Sequence, residues 1–305
     1  MTTVPVIRRA SISRDLDQAL NWVQSLGLDY SQSRFLRYKN ELKLQEGILY
    51  LPPTAEREGS DSAYECSDLI FIHKGLSGLK SPILKRKLKA LLKGPKHSSD
   101  EKPAGGSHQA RDISLELVIA SHFALGGFDV EFSNDADVIV RDGNTTFYIE
   151  CKRPSGRNIE GTIDEIYHQL RRRYKGHKSD TQARGLAVIS LTKRLIPDSE
   201  TLLVNSPQEG ITAISQILQS FQDDTLKLWH KNLHHQTMAV IGYVSIAISL
   251  GGRRGLMMNR QFSGRYVSRT RKTDLAEKDP DRVYFNHIVS RLNQGVLSAF
   301  ASKHE

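Results

Sequence analysis

One run limits what this chain can fold into more than any other: Asp137-Val-Ile-Val-Arg-Asp-Gly-Asn-Thr-Thr-Phe-Tyr-Ile-Glu150-Cys-Lys152. Val138 to Val140 are β-branched, and Phe147 to Ile149 are aromatic or β-branched, so both segments favour strand. Asp142-Gly143-Asn144 between them is turn chemistry that tolerates positive φ. With Gly143 and Asn144 central in the turn, Asp137 falls directly opposite Glu150. Opposite residues of an antiparallel pair share a face, with Cβ atoms roughly 4.5–5.5 Å apart. Lys152, two residues beyond Glu150, shares that face. Two carboxylates and a lysine therefore converge, a set able to hold a divalent cation and poise a water. A register slip of one residue would disperse them and leave a solvated hairpin with a chance ion pair.

Upstream, Ile113 to Leu125 has helical periodicity, with Asp112 as the expected N-cap and Gly126-Gly127 as the stop. Glu116 lies on or beside the apolar stripe of this helix. A buried carboxylate is costly unless it is paired or bound to metal; the alternative is a Glu at the stripe's edge reaching water. The helix leads straight into the hairpin.

The ordered set Glu116, Asp137, Glu150-x-Lys152 resembles the PD-(D/E)XK nuclease superfamily, and Ile149-Glu-Cys-Lys-Arg-Pro154 is similar to its catalytic strand. The resemblance covers roughly residues 112–191. Asp137 is not preceded by the proline common in the superfamily, and Asp135 is a rival for the metal-binding aspartate. The resemblance implies an α/β fold: a mixed central sheet flanked by helices, the restriction-endonuclease-like core. It implies that Asp137 and Glu150 hold Mg²⁺ (Mn²⁺ as an alternative), with the Cys151 backbone carbonyl as a further ligand and Glu116 acting directly or through water. Lys152 would position or activate the attacking water. Gln169, on the helix after the catalytic strand, looks like a residue that lies near the metal in several branches; a polar boundary residue is the plain alternative. Arg153, Arg157, Arg171, Arg172 and Arg173 would contact phosphates.

The net charge of +9 in 305 residues suggests a polyanionic partner, although many soluble proteins are mildly basic. Cys66 and Cys151 alone make no disulfide framework, and Cys151 should point to the core side of its strand. With only these two cysteines a cytoplasmic location is the default expectation, and Arg8, Arg9 and Arg14 are followed by no apolar segment, so no signal peptide is read. Met238 to Leu250 is too short for a membrane helix and reads as a buried strand, so no membrane partner is expected.

The first hundred residues read as a mainly helical N-terminal domain (1–100), substrate-binding or regulatory. Leu16, Ala19, Leu20, Val23 and Leu26 line one helix face, stopped by Gly27. A second helix is expected over Ser31 to Leu44, an apolar run over Gly47 to Leu51, and a polar loop over Thr54 to Ser62. Ser81 to Lys93 is helical and carries Lys85, Arg86, Lys87, Lys89 and Lys93 with no acid. Lys85, Arg86 and Lys89 could track a phosphate backbone, or simply form a basic solvent face. Residues 97–109 have linker composition and separate this part from the nuclease-like domain, 108–305.

Downstream, Thr162-x-x-Glu165 reads as a capping box opening a helix to about Lys175, with Ile163, Ile166, Tyr167 and Leu170 inward. Gly185 to Leu191 is a buried strand, giving a βαβ crossover. A helix over Glu209 to Phe221 and a closing helix over Asp281 to Ala301 follow, the latter with Val283, Phe285, Ile288, Val289, Leu292, Val296 and Leu297 on its apolar side. Gly251-Gly-Arg-Arg-Gly255 lacks phosphate-loop spacing, and His230, His234 and His235 read as surface histidines without a zinc pattern.

The resulting expectation is a metal-dependent endonuclease acting on nucleic acid, DNA favoured over RNA, of a defence, restriction or mobile-element type, with a homodimer as one assembly. An RNA-cleaving toxin, a structure-selective repair nuclease and a catalytically silent nucleic-acid-binding module of the same fold are the alternatives.

Overall fold

The computed structural model describes residues 9–45, 53–95, 109–134, 136–154, 158–175, 183–195, 202–231, 236–250, 256–267 and 279–300. The hairpin forms in the expected register. Strand β2 (Val138–Asp142) pairs antiparallel with β3 (Thr145–Lys152), from Asp142 opposite Thr145 to Val138 opposite Ile149. Gly143 takes φ +57° in the turn, a conformation glycine adopts without steric cost. A short β1 (Asp129–Glu131) extends the edge beside β2.

Helix α6 (Ile159–Lys175) returns the chain so that β4 (Ala183–Ser190) pairs parallel with β3, the expected crossover. The expected buried strand is β6 (Thr237–Leu250), parallel to β4. It is long enough to take β5 (Leu202–Val204) in parallel on its last three residues and β7 (Leu256–Tyr266) antiparallel from Ala239 to Ser249. Among the described residues seven strands form one mixed sheet, so the α/β class with helices flanking a mixed sheet is what the chain adopts.

Alternation along β3 divides the molecule into layers. Phe147, Ile149 and Cys151 join a core with α1 (Arg9–Ser25), α2 (Arg34–Gln45), α3 (Pro53–Leu76), α4 (Pro82–Leu92) and α5 (Gln109–Leu125). Leu16, Phe35, Phe71, Leu84 and Leu117 all belong to this cluster, as does Phe285 of the closing helix. Tyr148 faces the opposite way, into a second core with Ile163, Ile166, Tyr167 and Leu170 of α6. Leu218 and Trp229 of α8 (Pro207–Lys231) complete that layer, and α7 (Thr192–Leu195) caps the end of β4. The last helix, α9, spans Pro280–Phe300. The N-terminal helices therefore share their core with one face of the sheet.

Several local expectations are corrected. Residues 54–62, expected as loop, are helical within α3; their polarity carries no period, and Cys66, Leu69, Ile70, Phe71 and Ile72 farther along bury the helix. Helix α5 begins at Gln109, so Asp112 sits in its first turn rather than capping it. Helix α6 begins before Thr162: Asn158 Oδ1 accepts from the Gly161 N–H (2.9 Å), and the Thr162 hydroxyl donates to the Asn158 carbonyl (3.1 Å). Helix α8 continues to Lys231, beyond Phe221. Val283 is 63% exposed, whereas Phe285, Ile288 and Leu292 are buried. Strands β1, β5 and β7 had no readable signal: two are only three residues long, and Asn259, Arg260, Gln261 and Ser263 interrupt any apolar run in the third. The run 47–51, residues 97–108 of the expected linker, Asp135, Arg157, His234, His235 and 251–255 lie outside the described residues, and Gln109, read as the linker's last residue, is helical.

Candidate functional site

The register that builds the hairpin also sets its end. One step beyond the Val138–Ile149 pair stand Asp137 and Glu150, and Asp137 Oδ2 accepts the Cys151 backbone N–H at 2.8 Å. That bond fixes the aspartate against β3. Glu150 and Lys152 project to the α6 side of the sheet, where Arg173 Nε donates to Glu150 Oε1 (3.2 Å) and Lys152 Nζ to Glu165 Oε1 (2.6 Å). Glu116 comes from α5, in the other layer, and its carboxylate is ion-paired with Lys87 of α4. The two layers thus meet at the end of the hairpin. Cys151 points into the α5 core and is buried, as expected of a residue alternating with Glu150 and Lys152.

A cleft of about 890 Å³ opens here. Its walls come from α4 (Arg86, Lys87), α5 (Asp112, Glu116), the approach to β2 (Asn134, Asp137), the end of β3 (Lys152, Arg153) and α6 (Glu165, Arg173). Glu150 lies behind this wall, its side chain only 1% exposed.

Glu116 and Glu150 are held back from ionising in this half-dry space. Burial, then the neighbouring Asp137 charge, raise Glu116 to about 7 against the pull of Lys87. The same two causes raise Glu150 to about 8 against Arg173 and Lys152. Burial also lifts the Cys151 thiol well above its ordinary value, so it is no thiolate nucleophile.

Comparison with known protein families, characterised proteins and solved structures finds no match. The site is therefore read from its own geometry.

Glu116, Asp137, Lys152, Arg153 and Arg173 are brought to one cleft, with Glu150 directly behind. Gln169 does not line it; it reaches the site through Glu165, to which its Nε2 donates at 3.3 Å. Arg171 and Arg172 stand exposed on α6, outside the cleft wall, because they fall off the face that carries Arg173. Arg86 lines the cleft, whereas Lys85 and Lys89 line a neighbouring one. Among the described residues, no group of three or more His, Cys, Asp and Glu side chains is arranged as a metal cage; Glu116 and Glu150 face Lys87 and Arg173 instead.

Two site residues escaped sequence reasoning in this role. Lys87 was legible: it shares a helical face with Leu84, Leu88 and Leu91, which are buried, so its ammonium had to find a buried partner. Glu165, one residue before the buried Ile166, gave no such signal, and only the tertiary contact with Lys152 marks it.

Proposed function

We propose that the chain is a metal-dependent nuclease, hydrolysing phosphodiester bonds in nucleic acid on a restriction-endonuclease-like core, with DNA the favoured substrate. The observation that carries this reading is the meeting of Asp137, Glu150 and Lys152 at the end of one hairpin with Glu116 from the facing helix. The donor set suits Mg²⁺ or Mn²⁺, being oxygen-only, and the raised protonation of Glu116 and Glu150 is what excess buried carboxylate produces when no cation offsets it. On this reading Asp137, Glu150 and the Cys151 carbonyl hold the ion, with Glu116 joining directly or through water. Bound there, the ion lowers the pKa of a water and offsets phosphate charge.

The chain's own groups do the rest. Lys152, drawn from Glu165, orients the attacking water and steadies the charge growing on the phosphate. Water oxygen bonds to phosphorus, giving up a proton to solvent, as the ester P–O bond breaks, and the departing oxygen takes up a proton from solvent. Lys87 and Arg173, which pair with Glu116 and Glu150, would meet phosphate oxygens beside Arg153 and Arg86 once a cation took over those carboxylates.

One observation favours a second reading, a silent nucleic-acid-binding module: Glu116, Glu150 and Glu165 are already paired with a lysine or arginine. A cleavage panel separates the two. Plasmid, linear duplex, single-stranded DNA and RNA are incubated with Mg²⁺, Mn²⁺ or EDTA, beside Lys152→Ala and Asp137→Ala. The nuclease reading expects metal-dependent cutting that falls by a factor on the order of 10² or more in each variant. Full activity in both variants would refute it, and salt-sensitive binding without cutting under any metal would favour the module.

A further inference from the structure

Beside the catalytic cleft lies a second one, of about 700 Å³, between α4 and the turn that follows α1. Arg86 lines both, so the two are contiguous. The second cleft is strongly basic: Lys85, Lys89 and Lys93 stand along it in steps of four. Such spacing sets three side chains in a row on one face, spanning roughly 12 Å at about 1.5 Å rise per residue.

This row has the character of a built surface. Helix α4 holds no acid, and its other face, Leu84, Leu88 and Leu91, is buried. Its start is fixed by Ser81, whose hydroxyl accepts the Leu84 N–H, with Pro82 in the first turn. Lys85, Lys89 and Lys93 are exposed, and none is ion-paired with an acid among the described residues. The one carboxylate across the cleft, Asp29, is turned onto Ser31, accepting from its backbone N–H (2.8 Å) and hydroxyl (3.0 Å). Gly27, at φ +72°, gives the opposite wall without a side chain, and a Cβ there would meet Lys85 Nζ at 3.5 Å. Polar Gln32 and Ser33 complete that wall.

We infer that α4 is the phosphate-tracking element for the substrate flank: the nucleic-acid strand leaves the cleavage cleft past Arg86 and runs along Lys85, Lys89 and Lys93. This rests on the nuclease reading for what occupies the first cleft, and it deepens that reading by making the substrate a polymer that extends well to one side of the cut. A mononucleotide or a very short end would leave the row of lysines empty. Arg86 is held at the junction by donating to Asn134 Oδ1 at 2.6 Å, on the approach to Asp137, so the track and the cleavage site are mechanically tied.

The test measures binding apart from cleavage. Full-length protein carrying Asp137→Ala is titrated in EDTA with a short labelled oligonucleotide and with one several times longer, at a series of salt concentrations. The same is done with Lys85→Glu, Lys89→Glu and Lys93→Glu added together. Affinity for the long oligonucleotide should fall by on the order of tenfold or more, and the dependence of log affinity on log salt should flatten by about 2 for single strand or about 3 for duplex. The short oligonucleotide should lose several-fold less. A triple Lys→Gln variant should flatten the salt dependence equally with a smaller loss, since it adds no repulsion.

Unchanged affinity and slope on the long oligonucleotide would overturn the inference, as would equal losses on long and short. So would wild-type protein that binds neither. The two readings fail separately. If wild type cuts nothing yet the lysine variants lose salt-sensitive binding, the track stands and the nuclease reading falls. If wild type cuts and the lysine variants bind as before, the track falls alone.

Discussion

The crowding of Glu116, Asp137 and Glu150 has a thermodynamic consequence that can be measured without any substrate. A carboxyl whose folded-state pKa lies above its unfolded value holds its proton more tightly when folded. Its stabilisation is fully present below the unfolded value, 4.5, and is lost as pH rises through the folded value, about 7 for Glu116 and about 8 for Glu150. Near pH 6 the folded chain therefore carries about two protons that the unfolded chain has released, and near pH 9 it carries almost none. Integrating that difference predicts a loss of about 4 kcal/mol between these pH values in metal-free protein. For a chain of this size that lowers the melting midpoint on the order of 5–10 °C. Asp137 is the chief charged cause for both groups, after burial. Asp137→Asn removes that charge from beside both groups and should bring the pH-dependent loss clearly below the wild type's. The assay is thermal or urea unfolding in EDTA across the range, wild type beside the variant. A wild-type midpoint that stays flat, or a variant that falls as steeply, would refute the reasoning. Mg²⁺ should restore the wild-type midpoint most at the alkaline end, where no proton has to be displaced, and do little for the variant.

Glu65 is buried between two guanidiniums, accepting from Arg34 Nε (2.9 Å) and paired with Arg111, so it ties α2, α3 and α5 together. Glu65→Gln removes the carboxylate charge between two buried guanidiniums and should cost about 3–5 kcal/mol in urea unfolding; a loss under about 1 kcal/mol would refute that weight. Gly75 sits where α3 crosses α5, and a Cβ there would lie 2.7 Å from the Ser121 Cα. Gly75→Ala should destabilise by about 1–3 kcal/mol, whereas Gly78→Ala, with nothing within 4 Å, should stay within about 0.5 kcal/mol. Equal melting midpoints for the two would contradict the close approach.

What the amino-acid sequence determined by itself is local and periodic. β-Branched runs around Asp142-Gly143-Asn144 specify a hairpin, and its register alone places Asp137 opposite Glu150, because side chains in strands repeat every two residues. The apolar stripes of α1, α4, α6 and β4 were legible for the same reason: each buries one face, or both, against a core. Tertiary structure decided what periodicity does not carry. Segments with no apolar period, the start of α3 and the strands β1, β5 and β7, take their form from neighbours rather than from propensity. Which charges meet was decided the same way. Lys87 reaches Glu116 across 29 positions and Arg173 reaches Glu150 across 23, pairings set by how the two helical layers close on the end of the sheet. Arg171, Arg172 and Arg173 are indistinguishable as a basic run, yet only Arg173 lies at the site, since successive residues on a helix point about 100° apart. Long-range electrostatics depend on distance through the folded chain, and no spacing along a sequence contains that distance.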